Sequence, residues 1–249
     1  MSDGWHTEVL RSEFERASAT FAQRTRGRFD ALNVVEFVGV SGGETVLEVG
    51  AGTGNFLNLF QRAARRLVGV DLTPAMLYEA RRQWPDMELI VADGARLPLE
   101  SSSVELVATA QTLHHIWEPL PVLKEMRRVM APEGKLLIVD QVTTERFEEA
   151  VMMNKLETVR DPSHASSRPP SALRTLLRVA GLDIAAEKLI DEEGRLSQWM
   201  SPQEFPAARI EKVRDFIDEH GATTGMDFRR NGDDYVFTRL RFMALARSH

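Results

Sequence analysis

The sequence of 249 residues contains no cysteine, which excludes disulfides, thiolate metal sites and a cysteine nucleophile. It also lacks any apolar run long enough to cross a membrane. A secretory leader is not expected, because residues 1–9 include Asp3, His6 and Glu8 where such a leader would be apolar. We therefore predict a cytoplasmic protein without a membrane contact, and no metal site is predicted.

An excess of positive charge is missing as well. The 31 lysine and arginine residues are outnumbered by 37 aspartate and glutamate residues, which leaves a formal net charge of −6. A nucleic-acid partner normally requires a basic face, so none is predicted. The length and the 43% apolar fraction suit one domain with a single core, which we expect to be a monomer or a homodimer.

The stretch Thr45–Asn55 carries the clearest local signal in the chain. It begins with the apolar run Val46–Val49, which is typical of a strand buried on both faces of a parallel sheet. Glycines follow at positions 50, 52 and 54, where they allow a sharp turn and a close approach of a ligand to the backbone. From Thr53 the apolar spacing predicts a helix whose free amide groups face that turn.

Beyond this stretch, strand and helix patterns alternate. A helix is expected from Thr73 to about Gln83 and another before Pro132. The alternation predicts right-handed crossovers and a doubly wound, parallel α/β sheet. The further strands of this core are predicted at Leu67–Val70, Met87–Val91, Val104–Thr109 and Lys135–Val139.

Three kinds of segment are expected within this single domain. Residues 1–43 form a helical N-terminal cap with two helices broken near Thr25–Gly27, and residues 44–140 form the cofactor-binding core. Residues 141–180 and 191–233 are predicted to cover a substrate.

The elements predicted after the core are a helix at Phe147–Val159, a helix at Ser171–Ala180, a strand at Leu182–Leu189, a helix from a capping box at Ser201 and Glu204 to Glu219, a loop at Gly221–Asp234 and a strand at Tyr235–Ala246.

Polar side chains follow four of the predicted strands, at Glu48, Asp71, Asp93 and Gln111. Ligands of open α/β sheets bind at these carboxyl ends. Asp71 lies 21 residues after Gly50, near the spacing at which an acidic residue meets the ribose hydroxyls in nucleotide-binding folds. Asp93 would accept a hydrogen bond from an adenine amino group. Taken alone, each aspartate is also consistent with a loop or helix-cap residue.

The glycine spacing favours some nucleotides over others. A dinucleotide fingerprint requires a third glycine or alanine where this chain has Asn55, so binding of a nicotinamide cofactor loses its main support. The loop also lacks the glycine, lysine and hydroxyl pattern of a nucleoside triphosphate site.

Four motifs together resemble class I S-adenosylmethionine-dependent methyltransferases, especially the small-molecule enzymes similar to quinone-biosynthesis methyltransferases. The motifs are Val46–Gly54, Val68–Asp71, Ala92–Gly94 with Leu97 and Pro98, and Thr112–His115. Asp161–His164 resembles a bacterial subgroup. The one departure is Ser101–Glu105, where the family usually has an acidic residue, a serine and then Phe-Asp.

The resemblance implies a Rossmann-like, seven-stranded, mostly parallel sheet with an antiparallel final strand, and S-adenosylmethionine as cofactor. It also implies that Glu48 and the glycine turn hold the methionine part, Asp71 the ribose and Asp93 the adenine, while Phe21 closes over the cofactor. The full set of cofactor-binding residues predicted on this basis is Glu48, Gly50, Ala51, Gly52, Gly54, Asp71, Leu72, Met76, Asp93, Gly94, Gln111 and Phe21.

The predicted reaction is O-, C- or N-methylation of a small organic acceptor with release of S-adenosylhomocysteine. His115, and less strongly His114, is a candidate base, since imidazole titrates near neutral pH; packing is the alternative role for either. His164, Arg168 and Trp199 are weak substrate candidates, with solvated-loop or core roles as alternatives.

Several other targets of methylation are disfavoured. Enzymes that methylate nucleic-acid amino groups typically have Asn/Asp-Pro-Pro-aromatic after the fourth strand, where this chain has Ala110–Leu113. Cytosine-C5 and arsenic methylation require a cysteine. A catalytically silent protein that binds S-adenosylmethionine as a sensor or partner remains the alternative, and a dehydrogenase is a distant third.

Overall fold

The structure is a computed structural model that describes residues 2–201 and 205–249. The strands are β1 (Thr45–Val49), β2 (Arg66–Asp71), β3 (Glu88–Val91), β4 (Val104–Ala110), β5 (Met130–Val142), β6 (Leu182–Arg195), β7 (Arg229–Asn231) and β8 (Asp234–Ser248). They form a mixed sheet at the centre of the structure with the order β3-β2-β1-β4-β5-β8-β6. Strands β1 to β5 run parallel to one another, and β8 is antiparallel to both β5 and β6.

The predicted α/β sheet with its antiparallel final strand is therefore confirmed. All five residues of β1 are buried, as expected for a central strand that is covered by apolar groups on both faces. The additional strand, the three-residue β7, pairs only with β8. It lies inside the segment predicted as a loop, where Gly232 at φ 63° turns the chain back into β8.

Helices cover both faces of the sheet, and two apolar clusters result. One cluster joins the strands to helices α4 and α6, and the other joins them to α2 and to Phe29 and Phe56. A third cluster packs α5, α7 and α8 against β8. The helices are α1 (Ser2–Arg24), α2 (Val34–Val38), α3 (Pro74–Gln83), α4 (Pro119–Val129), α5 (Phe147–Arg160), α6 (Pro170–Val179), α7 (Leu196–Trp199) and α8 (Ala207–His220).

Two helix predictions were wrong in their details. The helix expected from Thr53 is only a short 3-10 turn at Leu57–Phe60, because Gly54 at φ 76° keeps the backbone out of the right-handed helical region just before it. The helix expected from a capping box at Ser201 begins at Ala207, directly after Pro206. Glu204, the other member of that box, lies outside the described residues.

The topology brings the predicted strand ends together. Val49 pairs with Val70 in the parallel ladder of β1 and β2, and Glu48 pairs with Ala108 of β4. The residues that follow these three strands consequently share one edge of the sheet, which is where open α/β folds bind ligands. In the part of the chain that the structure describes, no helix is both long and apolar enough to span a membrane.

Candidate active site

A cavity of about 380 Å³ lies at this edge. Its floor is formed by the segments that follow β1, β2, β3 and β4, and α1 contributes His6, Leu10, Phe14 and Phe21 to its wall. The predicted cofactor residues that line it are Glu48, Gly50, Ala51, Gly52, Asp71, Leu72, Met76, Asp93, Gly94, Gln111 and Phe21.

Gly54 is the predicted cofactor residue that does not belong to this lining. A Cβ atom at Gly54 would lie 2.9 Å from Cδ1 of Trp84 and 3.1 Å from the sulfur of Met87. The indole N–H of Trp84 in turn donates a hydrogen bond to the Thr53 carbonyl over 3.2 Å. The third glycine is therefore required for packing of the turn against the Trp84 ring, on the side away from the cavity.

The other two glycines shape the turn itself. A Cβ atom at Gly50 would come within 2.3 Å of the Thr112 hydroxyl, so only glycine fits beside the loop after β4. At Gly52, with φ 51°, a Cβ atom would meet nothing within 4 Å. The backbone at Gly52 is thus open, and a bound group can approach it closely.

Asp71 holds this turn from the end of β2. Its Oδ2 accepts a hydrogen bond from the Gly52 N–H and its Oδ1 accepts one from the Thr73 N–H, each over 2.8 Å. Burial raises the pKa of Asp71, although the N–H groups of Thr73 and Gly52 oppose that rise. Each carboxylate oxygen has a second lone pair, so Asp71 can fix the turn and still accept hydrogen bonds from a ligand.

Glu48 is a buried carboxyl group beneath the turn. Its side chain is 1% exposed, and among the described residues its Oε2 has no hydrogen-bond partner. Burial raises the pKa of Glu48 well above its usual value, and the negative charge of nearby Asp71 raises it further. A hydrogen bond from the Leu57 backbone opposes this rise. A buried, unsatisfied carboxyl oxygen is costly, and a cationic or hydrogen-bond-donating ligand would remove that cost.

Asp93 and Gln111 border the cavity from the ends of β3 and β4. The Asp93 Oδ1 accepts a hydrogen bond from the Ala95 N–H over 2.9 Å, which leaves its other oxygen for a ligand. Gln111 has a left-handed backbone at φ 52°, and its Oε1 accepts a hydrogen bond from Arg28 over 2.7 Å. Its Nε2 is buried and has no partner among the described residues.

Of the two candidate histidines, His115 lines the cavity. Its Nδ1 lies 3.0 Å from the Ser163 carbonyl oxygen, and burial, followed by the adjacent His114 ring, lowers the pKa of His115 to about 3. A carbonyl oxygen only accepts hydrogen bonds, so the neutral ring carries its proton on Nδ1 and has a lone pair on Nε2. The ring is thus held in the tautomer that can accept a proton at Nε2.

His114 does not line the cavity. Its Nδ1 donates to Asp140 over 2.5 Å, and the same carboxylate accepts the Leu113 N–H over 2.7 Å. Burial alone would raise the pKa of Asp140, but His114 and the neighbouring N–H groups hold it below its usual value. His114 therefore attaches the loop after β4 to β5, which matches the packing role considered for it.

The three weak substrate candidates also lie outside the cavity lining. His164 is 3% exposed and its Nε2 bonds to the Asn154 Oδ1 over 2.8 Å. Arg168 donates to the backbone carbonyls of Leu113 and Ile116 over 3.1 and 2.8 Å. Trp199 is buried in the cluster of α5, α7 and α8, under the Arg160 guanidinium at 4.9 Å. A substrate contact by any of them stays a prediction.

Helix α1 is attached to the site near both of its ends. Near its beginning, His6 Nε2 lies 2.9 Å from the His115 carbonyl oxygen. At its end, the Asn55 amide donates to the Ala22 carbonyl and the Thr25 hydroxyl over 2.9 and 2.7 Å. The sequence identified Phe21 here but gave no signal for His6 and Arg28, since neither belongs to a motif.

Replacement of Asn55 by alanine is expected to loosen the end of α1. Two hydrogen bonds are lost, each contributing about 0.5–1.5 kcal/mol, so local opening should become roughly tenfold more frequent. Amide hydrogen exchange of residues 15–24, followed by mass spectrometry, measures this. Asn231→Ala, on an exposed strand, is the control, and unchanged exchange in Asn55→Ala would show that these bonds do not hold α1.

The described residues contain no group of three or more histidine, aspartate or glutamate side chains that is placed to bind a metal ion. The polar groups of the lining include carboxyl groups, backbone amides of the glycine turn, the imidazoles of His6 and His115, the Gln111 amide and the Arg28 guanidinium. The carboxyl groups among them suit a ligand that carries a cation, hydroxyl groups and an amino group.

Comparison with known proteins gives a consistent result. Residues 47–138 match the family model described as a methyltransferase domain. A demethylmenaquinone methyltransferase of Renibacterium salmoninarum is 36% identical over 107 residues, which is 43% of this chain and 45% of that protein. A protein of Mycolicibacterium smegmatis described as a probable S-adenosylmethionine-dependent methyltransferase is 30% identical over 57% of this chain and 53% of its own length.

The chain therefore spans about half the length of the curated relatives it matches. Among solved structures, a Bacillus halodurans protein described as a candidate methyltransferase has a TM-score of 0.80 at 23% identity. That match covers 88% of this chain and 98% of the other, and it bears on the fold alone.

Proposed function

The chain carries a class I S-adenosylmethionine-dependent methyltransferase domain, and on that basis we propose that it methylates a small organic acceptor and releases S-adenosylhomocysteine. The supporting observation is that Oε2 of Glu48, buried under a glycine turn that Asp71 holds, has no partner in the part of the chain that the structure describes. The site thus offers a carboxylate for an ammonium group, a second carboxylate for ribose hydroxyls and a third, Asp93, for an adenine amino group.

These residues fit S-adenosylmethionine part by part. Glu48 would hold the methionine ammonium, directly or through water, Asp71 the ribose and Asp93 the adenine. The open backbone at Gly52 leaves space for the cofactor to lie against the turn. The cofactor supplies a methyl group already activated by a sulfonium, so the protein mainly has to orient the acceptor and exclude water.

The remaining roles follow from the cavity wall. Phe14 and Phe21 of α1 pack edge to face at 6.0 Å in the cavity wall, where they would limit the access of water to the bound cofactor. Phe14 also packs against the His115 ring at 5.1 Å. His115 would accept the acceptor's proton at Nε2 as the new bond to the methyl group forms.

The segment after β5 acts on the site indirectly in this proposal. None of the described cavity-lining residues belongs to residues 141–180 or 191–233. Instead, Ser163 bonds to His115 and Arg168 bonds to the carbonyls of the loop after β4. Residues 141–180 would therefore position that loop, and a direct substrate-covering role for either segment remains a prediction.

Replacement of His115 by alanine is expected to lower kcat about 100-fold, in the usual range for loss of a general base, with the Kd for S-adenosylmethionine changed less than threefold. His220→Ala, whose side chain is on the surface of α8, should change neither quantity. A steady-state assay of S-adenosylhomocysteine release gives kcat. An unchanged kcat in His115→Ala would assign the ring to packing alone.

The proposed function itself is tested in two steps. Calorimetric titration should show binding of S-adenosylmethionine and S-adenosylhomocysteine but not of a nicotinamide cofactor. Release of S-adenosylhomocysteine is then assayed against a panel of small hydroxyl, amine and activated-carbon acceptors. Binding without turnover on any acceptor would favour a catalytically silent sensor or partner, and absence of binding would refute both readings.

A further inference from the structure

The segment Asp161–His164 lies directly behind the candidate base His115. It begins where α5 ends. The next two N–H groups, those of residues 165 and 166, each donate a hydrogen bond to the His114 carbonyl over 2.9 Å. The segment is therefore attached at its start to a helix and at its end to the loop that carries His115.

Ser163 connects Asp161 to the imidazole of His115. The Oδ1 of Asp161 accepts two hydrogen bonds from Ser163, one from the hydroxyl over 2.6 Å and one from the N–H over 2.9 Å. The Nδ1 of His115 lies 3.0 Å from the Ser163 carbonyl oxygen and 3.2 Å from the Ser163 hydroxyl oxygen. The three residues thus form one chain of hydrogen bonds in which Ser163 is buried.

The direction of these hydrogen bonds is set by Asp161. Burial alone would raise the pKa of Asp161, but Arg160 and the groups of Ser163 hold it below its usual value, so the side chain is a carboxylate at neutral pH. A carboxylate only accepts hydrogen bonds, and the single hydroxyl proton of Ser163 consequently points to Asp161. The hydroxyl oxygen can then only accept a hydrogen bond from Nδ1 of His115, as the Ser163 carbonyl does.

Without this carboxylate, the hydroxyl of Ser163 would be free to turn around. A serine hydroxyl is both a donor and an acceptor. It could therefore donate to Nδ1 of His115 across the same 3.2 Å. The proton of the neutral ring would then lie on Nε2, and Nε2 would no longer carry the lone pair that accepts a proton.

Asp161 also acts on the charge that His115 acquires as a base. Burial, followed by the His114 ring, lowers the pKa of His115 to about 3, and the negative charge of Asp161 opposes that fall. The Ser163 backbone opposes it as well, whereas His164 adds to it. A proton taken up at Nε2 makes the buried ring positive while the Nδ1 proton stays in place. The nearby carboxylate therefore stabilises the protonated ring.

We propose that Asp161 is the positioning residue of the base: acting through Ser163, it keeps the proton of the neutral His115 ring on Nδ1 and stabilises the ring when Nε2 accepts a proton from the methyl acceptor. The proposal rests on the function proposed above. Asp161 is not among the described residues that line the cavity, so it acts through Ser163 and His115 and not by contact with a ligand. The alternative is that Asp161 only orders the turn after α5, as aspartates in turns often do.

Nitrogen NMR of the imidazole rings measures where the ring proton lies. The full chain, labelled in its histidines and saturated with S-adenosylhomocysteine, is measured at pH 7, where the His115 ring is neutral. His115→Ala identifies the signals of this ring. The parent should carry the proton on Nδ1, and Asp161→Ala should show the Nε2–H form as well. A parent ring with its proton on Nε2, or an unchanged ring in Asp161→Ala, would overturn the proposal.

Two further variants separate the hydroxyl from the charge. Asp161→Ala combined with Ser163→Ala also removes the hydroxyl that can turn around, so the Nδ1–H form should return to the parent level. Asp161→Asn keeps an oxygen for both donors of Ser163 but removes the charge. This variant should keep the tautomer and lower kcat about three- to tenfold, because the efficiency of a base follows its proton affinity. Failure of the double variant to restore the Nδ1–H form, or an unchanged kcat in Asp161→Asn, would contradict the proposal, and Asp161→Asn decides if Asp161→Ala does not fold.

Glu157→Gln is the matched control for the loss of a buried charge. Its carboxylate bonds to Arg160 over 2.8 Å, and the same arginine lies 3.6 Å from Asp161. This control should lower Tm without moving the proton of the His115 ring or changing kcat, which is measured by release of S-adenosylhomocysteine. The same result in the Asp161 variants would mean that Asp161 only orders the turn.

The positioning role and the proposed function fail in different ways in this design. Absence of S-adenosylhomocysteine binding would refute the proposed function, and an unchanged kcat in His115→Ala would refute the base. The position of the ring proton does not depend on turnover. Its response to Asp161→Ala, measured without S-adenosylhomocysteine if none binds, still decides whether Asp161 holds the ring.

Discussion

Replacement of Asp71 by alanine is expected to weaken binding of S-adenosylmethionine about 100-fold. The variant loses two hydrogen bonds from ribose hydroxyls to a carboxylate, each worth about 1.5–3 kcal/mol before the site rearranges around the change. A net loss of about 2.8 kcal/mol in binding free energy corresponds to a 100-fold weaker Kd. Asp71 also accepts the N–H groups of Gly52 and Thr73, so part of the loss would come from a looser turn. Calorimetric titration measures the change in Kd.

Asp71→Ala should still fold, because the Asp71 side chain bonds to backbone N–H groups of loops and does not belong to the apolar core clusters. Circular dichroism and Tm of the variant check that point. Asp86→Ala, in an exposed turn after α3, is the matched control and should leave Kd unchanged. An affinity of Asp71→Ala within twofold of the parent would mean that Asp71 does not bind the ribose.

The second large effect is expected at Glu48, where replacement by glutamine should weaken binding of S-adenosylmethionine at least tenfold. Glutamine fills the same buried space but offers no negative charge to an ammonium group. In the parent protein, burial raises the pKa of Glu48, so the carboxylate that would pair with the cation forms increasingly as pH rises. Binding by the parent should consequently tighten from pH 5 to pH 7, and binding by Glu48→Gln should change much less.

The same pKa shift has a consequence for stability without cofactor. Burial raises the pKa of Glu48 in the folded protein, so this group stabilises the fold below its ordinary pKa and loses that contribution as pH rises through the folded value. Glu48→Gln does not ionise and keeps its contribution. Each unit of pKa difference is about 1.4 kcal/mol.

Thermal unfolding at pH 5 and pH 8 measures this effect. The Tm of Glu48→Gln minus the Tm of the parent should be larger at pH 8 than at pH 5. The increase should be about 2–4 °C for each kcal/mol of stability that the parent loses between the two pH values. Asp71 adds to the raised pKa of Glu48, so the difference between parent and variant reports Glu48 together with its effect on Asp71, whereas groups that do not interact with Glu48 cancel. A constant difference in Tm across this range would show that Glu48 is ionised in the folded protein.

Much of the site could be predicted because its signals are local. The apolar run of β1 and the helix after Thr73 follow from short-range periodicity and from Pro74 at a first helical position. Asp71, Asp93 and Gln111 follow strands directly, and the carboxyl ends of parallel strands necessarily share an edge. The structure brings these residues into one cavity together with Glu48.

The residues that the sequence missed, and the predicted site residues that lie outside the cavity lining, depend on contacts between residues far apart in the chain. Gly54 was assigned to the cofactor, yet its neighbour in space is Trp84, which no glycine pattern indicates. His164 has the chemistry of a ligand residue, but burial next to Asn154 gives it a different environment. His6 and Arg28 gained a place in the cavity wall only when α1 packed across the strand ends.

By itself the sequence determined the α/β sheet, the glycine turn and the carboxyl groups at the strand ends, because each arises from a few adjacent residues and the geometry of one strand or turn. Only the tertiary structure decided which of the two histidines lines the cavity and in which tautomer it is held, and which acidic residue the buried Arg241 meets. His115 obtains its tautomer from Ser163, 48 residues away, and Arg241 bonds to Glu192, 49 residues away. Burial and hydrogen bonding set both properties, and burial is fixed only when distant segments pack together.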